Sequence, residues 1–76
     1  MDNNQIQELI RSNLDDVSDL SISGQDCNFS IKIVSKDFIN MSIIDRHKII
    51  MRLFTDLLQS GELHAISLDL KAPSEV

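Results

Sequence analysis

The sequence predicts a single small α+β domain in the order α-β-β-α-β, with a three-stranded mixed sheet and helices on one face. Three observations carry that prediction. Apolar residues recur at helical spacing in two segments and alternate with polar residues in three others. A short Gly-containing connection joins the first two alternating runs, as in an antiparallel hairpin. The longer helical segment separates the second and third, and such a crossover normally leaves its strands parallel and right-handed.

The first helix rests on Ile6, Leu9, Ile10 and Leu14, spaced i, i+3, i+4 and i+8. Asn3 or Asn4 is its expected cap, and the polar run Asp15-Asp16-Val17-Ser18-Asp19 ends it. Leu20 and Ile22 alternate with serines to form a first strand, and Ser23-Gly24-Gln25-Asp26 supplies turn residues. Phe29, Ile31 and Ile33 alternate with Ser30 and Lys32 in a second strand running to about Ser35. Residues 36–41 break the alternation and predict a tight turn or one helical turn. Ser42, with Asp45 three residues on, is a helix start signal. Ile43, Ile44, His47, Ile50, Met51, Phe54, Leu57 and Leu58 then keep helical spacing up to a stop at Gly61. Leu63 to Leu70 reads as a third strand, with His64, Ile66, Leu68 and Leu70 on one parity, and Pro73 can open a last helical turn.

At 76 residues and 8.6 kDa the chain fits one domain with a modest core. Seven basic and twelve acidic residues give a net charge of −5, which argues against a globally basic nucleic-acid binder. One cysteine excludes an internal disulfide and a four-thiolate metal site. The opening residues lack a signal peptide's basic and apolar regions, and no apolar run suits a bilayer, so a reducing cytoplasm is the expected compartment. No Gly-rich phosphate loop, HExxH, CxxC or nucleophile–base spacing occurs, so the chain is not expected to be an enzyme.

Three features remain. Cys27 lies between the hairpin turn and the second strand, where a thiol is either a soft-metal ligand or a small residue under a loop. His64 opens the third strand and is either a metal ligand or a hydrogen-bonded residue at the core's edge. For both, the residues alone favour the structural reading, and for His47 on the helical stripe more strongly. Finally, Lys32, Lys36, Arg46, Lys48 and Arg52 face only Asp37 and Asp45 in their segment, leaving it +3 and the remainder −8. That segment is a solvated face or an anion-attracting one.

Taken in order, Ile33-Val34-Ser35-Lys36-Asp37-Phe38, Ser42, Arg46-His47-Lys48, Leu63-His64-Ala65-Ile66-Ser67-Leu68 and Ala72-Pro73 resemble the BolA family. The family pattern is VS-x-x-F-x-G-x-S, a helix carrying RHR, HAL-S-[IL], then TP-x-E-W. The opening residues and the Phe-x-x-Met-Ser run look most like its IbaG/YrbA branch. Asn40 stands where the family has glycine, and Ala72-Pro73-Ser74-Glu75-Val76 lacks the threonine and tryptophan.

The resemblance implies an α-β-β-α-β core related to class II KH domains and a monothiol glutaredoxin as partner. It also implies a 2Fe–2S cluster shared with that glutaredoxin and a bound glutathione, with His64 and Cys27 matching the family's ligand positions. On that basis both residues become metal ligands, in an adaptor for iron–sulfur handling or stress response. The alternative is a nucleic-acid-binding transcriptional regulator that uses the KH-like fold with Lys36, Arg46, His47, Lys48 and Arg52. A third reading is a structural domain that forms a homodimer through an exposed sheet edge.

Overall fold

Alternation dictates the sheet, and the sheet positions everything else. The structure, a computed structural model, describes residues 3–25, 28–61 and 63–76. The elements are α1 (Asn3–Asn13), β1 (Asp19–Gln25), β2 (Asn28–Val34), a 3₁₀ turn η1 (Lys36–Phe38), α2 (Ile43–Ser60), β3 (Ala65–Lys71) and a closing 3₁₀ turn η2 (Pro73–Glu75). The strand order is β1-β2-β3, antiparallel between β1 and β2 and parallel between β2 and β3.

Phe29, Ile31 and Ile33 of the central strand are buried. Each has core-facing neighbours across the register: Ile31 lies between Ile22 and Leu68, and Ile33 between Leu20 and Leu70. Ser21, Ser23, Ser30, Lys32, Ser67 and Asp69 line the opposite face, which no helix covers among the described residues. Both helices therefore pack on one side, where Ile6, Ile10, Ile50 and Phe54 complete the core with Phe38 and Leu63. Among the described residues no helix is long and apolar enough to cross a membrane.

Several boundaries move. Ser23, Gly24 and Gln25, expected in a turn, belong to β1, and pairing continues to Gln25 opposite Asn28. Gly24 permits this. Its φ is +118°, and a Cβ there would stand 2.2 Å from the Asn28 carbonyl oxygen. The third strand begins at Ala65 rather than Leu63. Gly61 ends α2 at φ 85°, and Leu63 folds back into the core with its N–H donating to the Leu57 carbonyl at 3.1 Å. Asn3 does not cap α1; it lies in the first turn, with its side chain accepting from the Gln7 amide at 2.7 Å.

The long helix starts as expected, with the Ser42 hydroxyl accepting from the Asp45 N–H at 3.1 Å. Its buried face differs. Arg46, Ile50 and Phe54 point inward, whereas Ile43 and Ile44 are each 67% exposed. The apolar pattern is wider than the core it meets, so its first turn overhangs.

Asn40, expected to hold a left-handed turn, has φ 65°. The substitution Asn40→Gly removes the Cβ penalty at no loss of packing for an exposed side chain. It should stabilise the chain by up to about 1 kcal/mol, and Asn40→Val should destabilise it by about 1–2 kcal/mol. Urea unfolding midpoints of the three proteins check this.

Candidate functional site

The strand register assembles one end of the sheet. Asn28, which follows Cys27 in the chain, is the partner of Ala65, which follows His64. His64 is exposed at the mouth of β3, between buried Leu63 and the first strand residue. Its imidazole is thus open to solvent on a backbone fixed from both sides. Cys27 lies outside the described residues. Among the described residues no group of three or more His, Cys, Asp or Glu side chains gathers to hold a metal ion. The donor chemistry of His64 suits iron, but one imidazole cannot make a site. Cys27 and groups from outside the chain would have to complete it.

Two junctions brace this sheet from the far side. At the first, the Asp37 carboxylate accepts the backbone N–H groups of Asp15 and Asp16, both at 3.0 Å. The Asp37 N–H donates to the Ser35 hydroxyl at 3.0 Å. That hydroxyl sits against the Asp16 carbonyl and the Asp37 carboxylate, with one proton to serve them. Burial acts to raise the Asp37 pKa, but the hydrogen bonds from Asp15, Asp16 and Ser35 outweigh it and hold the carboxyl below its usual range. Ser35 and Asp37 therefore fasten the α1–β1 connection to η1.

The second junction corrects an expectation. Arg46, expected on a basic binding face, is only 5% exposed. Its guanidinium makes a two-pronged pair with Glu75, Nη1 to Oε1 at 2.6 Å and Nη2 to Oε2 at 2.8 Å. Nη1 also donates to the Leu70 carbonyl at 3.1 Å, and the Phe38 ring centroid lies 5.8 Å from Cζ. Among the described residues Nε has no acceptor. Glu75 in turn accepts the Ala72 N–H at 2.9 Å. The Arg46 hydrogen bonds, then the Ala72 N–H, pull the Glu75 carboxyl down to about 2, and the same pairing raises Arg46. Sequence reasoning missed Glu75. The signal was present, since Arg46 and Glu75 are the arginine and glutamate of two separate family blocks.

The remaining basic residues disperse. Lys32 lies on the uncovered sheet face beside its register partner Asp69. Lys36 is exposed on η1, and Lys48 and Arg52 are exposed one turn apart on α2. His47 is half-buried, and its Nδ1–H donates to the Ile43 carbonyl at 2.9 Å. With Arg46 withdrawn, the +3 segment does not act as one patch.

A family model described as BolA-like protein matches residues 7–75. The chain belongs to the BolA family. Its fold superposes on BolA1 from Arabidopsis thaliana with a TM-score of 0.85 at 30% identity, covering 100% of this chain and 99% of that one. The BolA domain of SufE1 from Arabidopsis thaliana gives a TM-score of 0.84 at 31% identity, with 100% and 99% covered. A BolA-like protein of Dictyostelium discoideum is 26% identical over 81 residues, 95% of this chain and 71% of that protein. Two curated Arabidopsis relatives, BOLA1 and SufE-like protein 1, align over only 29% and 13% of their own lengths. The α-β-β-α-β order and mixed sheet expected from the sequence are those of the family.

The lowered Glu75 and Asp37 carboxyls set a sign for acid stability. Their contribution is complete above the ordinary carboxylate range and is lost as protons bind the folded state. Stability should thus fall as pH drops from about 4.5 toward the Glu75 value of about 2. Glu75→Gln should lower the unfolding midpoint at neutral pH by leaving the buried guanidinium without its carboxylate, and it should flatten that acid slope; Arg46→Met, which leaves a carboxylate that solvent can reach, should flatten the slope as well. Urea midpoints taken across the acid range check both.

Proposed function

We propose that this chain is a non-catalytic adaptor that pairs with a monothiol glutaredoxin and gives Cys27 and His64 to a shared 2Fe–2S cluster. The glutaredoxin cysteine and a glutathione thiolate complete the ligand set. The observation that carries the reading is the exposed imidazole of His64 at the mouth of β3. There Ala65 pairs with Asn28, the residue next to Cys27. Membership of the BolA family supports it.

The chain's own contribution is positional. Leu63, 1% exposed, anchors the backbone immediately before His64, so the ring projects from a fixed point. Metal binds neutral imidazole and not imidazolium, so the ring of His64 would be given to iron in its neutral form. A cluster with mixed cysteine and histidine ligands supplies a higher-potential redox centre than an all-thiolate one. With only two ligands from this chain, the partner is obligatory.

The test is anaerobic reconstitution with iron, sulfide, glutathione and a monothiol glutaredoxin, read by visible absorption and circular dichroism. Bands that require this chain, and that Cys27→Ala and His64→Ala each alter or abolish, are the expected result. Spectra identical to those of the glutaredoxin alone, or unchanged in both variants, would sink the reading.

A further inference from the structure

The side of the domain beyond β3 carries two unused features at once. The first is the strand edge. The Ser35 N–H donates to the Lys71 carbonyl at 3.0 Å, so Lys71 turns its backbone groups toward β2. By alternation Ser67 and Asp69 do the same, and Ile66, Leu68 and Leu70 present theirs outward. Arg46 occupies the Leu70 carbonyl. Among the described residues Ile66 and Leu68 are left with an outward N–H and an outward C=O each, on a strand that no other strand covers.

The second feature is the overhanging apolar stripe of α2. Ile43 and Ile44, each 67% exposed, line a shallow depression of about 430 Å³ with His47, Lys48 and Met51. A neighbouring depression formed by Ile43, Arg46, His47, Leu68, Leu70 and Glu75 places the stripe directly beside the free edge of β3. Edge and stripe are one continuous surface.

We propose that a second copy of this chain docks there, the two β3 strands pairing antiparallel about a two-fold axis through Ser67. The edge itself selects both occupant and register. Ile66 and Leu68 straddle Ser67, so each bonds the other's counterpart, and the bonded ladder ends there because the next outward carbonyl, that of Leu70 opposite His64 of the copy, is already taken by Arg46. A register centred on Leu68 would need that carbonyl, and one centred on Asp69 would set two carboxylates face to face. In the chosen register Ser67 meets Ser67 and Asp69 meets Ala65, so no like charges oppose. An axis normal to the sheet keeps both helical layers on the same side, which brings the two α2 stripes together over the junction. The result is a six-stranded sheet under a continuous helical layer, with Ile43, Ile44 and Met51 of both copies covered.

Size fits a weak dimer. With 18 residues, α2 is about 27 Å long, and the molecule is 19 Å deep. The face therefore projects roughly 500 Å², somewhat below the ~800 Å² per partner of a standard interface. Association should accordingly be reversible and concentration-dependent.

Sedimentation velocity of the full chain, from micromolar to millimolar, tests this without any partner. Wild type should pass from monomer to dimer. Ile44→Lys and Ser67→Lys alter exposed residues and leave the fold intact by far-ultraviolet circular dichroism, yet each should weaken association at least about tenfold, the second by opposing two cations at the axis. In a Cys27→Ser background, Ser67→Cys should cross-link on mild oxidation, because opposed residues of a non-hydrogen-bonded pair stand at disulfide distance. Ser21→Cys, equally exposed but on β1, should not. A monomer at every concentration overturns the proposal, as does a dimer that both lysine variants leave unchanged. It also fails if Ser67→Cys cross-links no better than Ser21→Cys, or if only a nucleic acid or a different protein occupies this face.

Discussion

The guanidinium of Arg46 is the point on which the other elements converge. It leaves α2, lies over Phe38 of η1, caps an outward carbonyl of β3 and grips Glu75 of η2 with both terminal nitrogens. A planar fork with fixed donor directions can satisfy a carboxylate and a carbonyl together, which an ammonium on a flexible stem cannot do with the same geometry. The carboxylate is itself held by the Ala72 N–H, so charge and backbone order each other. Without this pair η2 would have little reason to fold back, since none of its residues is buried.

The same contact shapes what the surface can do. By withdrawing a cation from the middle of α2 it breaks the basic segment into separated charges on different faces. It also closes one end of an edge strand, a common way for proteins to restrain unwanted pairing. Only the middle of that edge is left to bond, and this limits the registers any incoming strand can adopt. Opposite it, the Ser35–Asp37 junction ties the loop after α1 to η1, so the β2–α2 connection is fastened at the end of the sheet away from His64.

Most of the architecture was legible because it follows from period. The odd-numbered apolar residues of β2 and the stripe Ile6, Leu9, Ile10 and Leu14 admit few other arrangements. The capping serine, Asn40 and Gly61 punctuate the chain as their conformational preferences require. What periodicity could not resolve was where an apolar pattern stops being core. Ile43 and Ile44 fit the helical stripe as well as Ile50 does, yet both stay two-thirds exposed at the start of the helix. Arg46 was misjudged for the complementary reason: its buried role depends on Glu75, 29 residues away, and no local pattern encodes a pairing of that range. At the candidate site, His64 is singled out as a ligand by resemblance alone. Its residue type and parity fit a core-edge histidine equally well, and only the register with Asn28 shows which end of the sheet it shares.

Leu63 carries a consequence of its own. It is buried, hydrogen-bonded to the end of α2 and immediately followed by the exposed His64. Ordering a residue's backbone costs about 1–2 kcal/mol of conformational entropy, and here folding has already met that cost. Whatever captures the imidazole has only two side-chain torsions left to freeze. A surface histidine on a mobile loop would surrender backbone freedom as well, so this one starts nearer to its bound state.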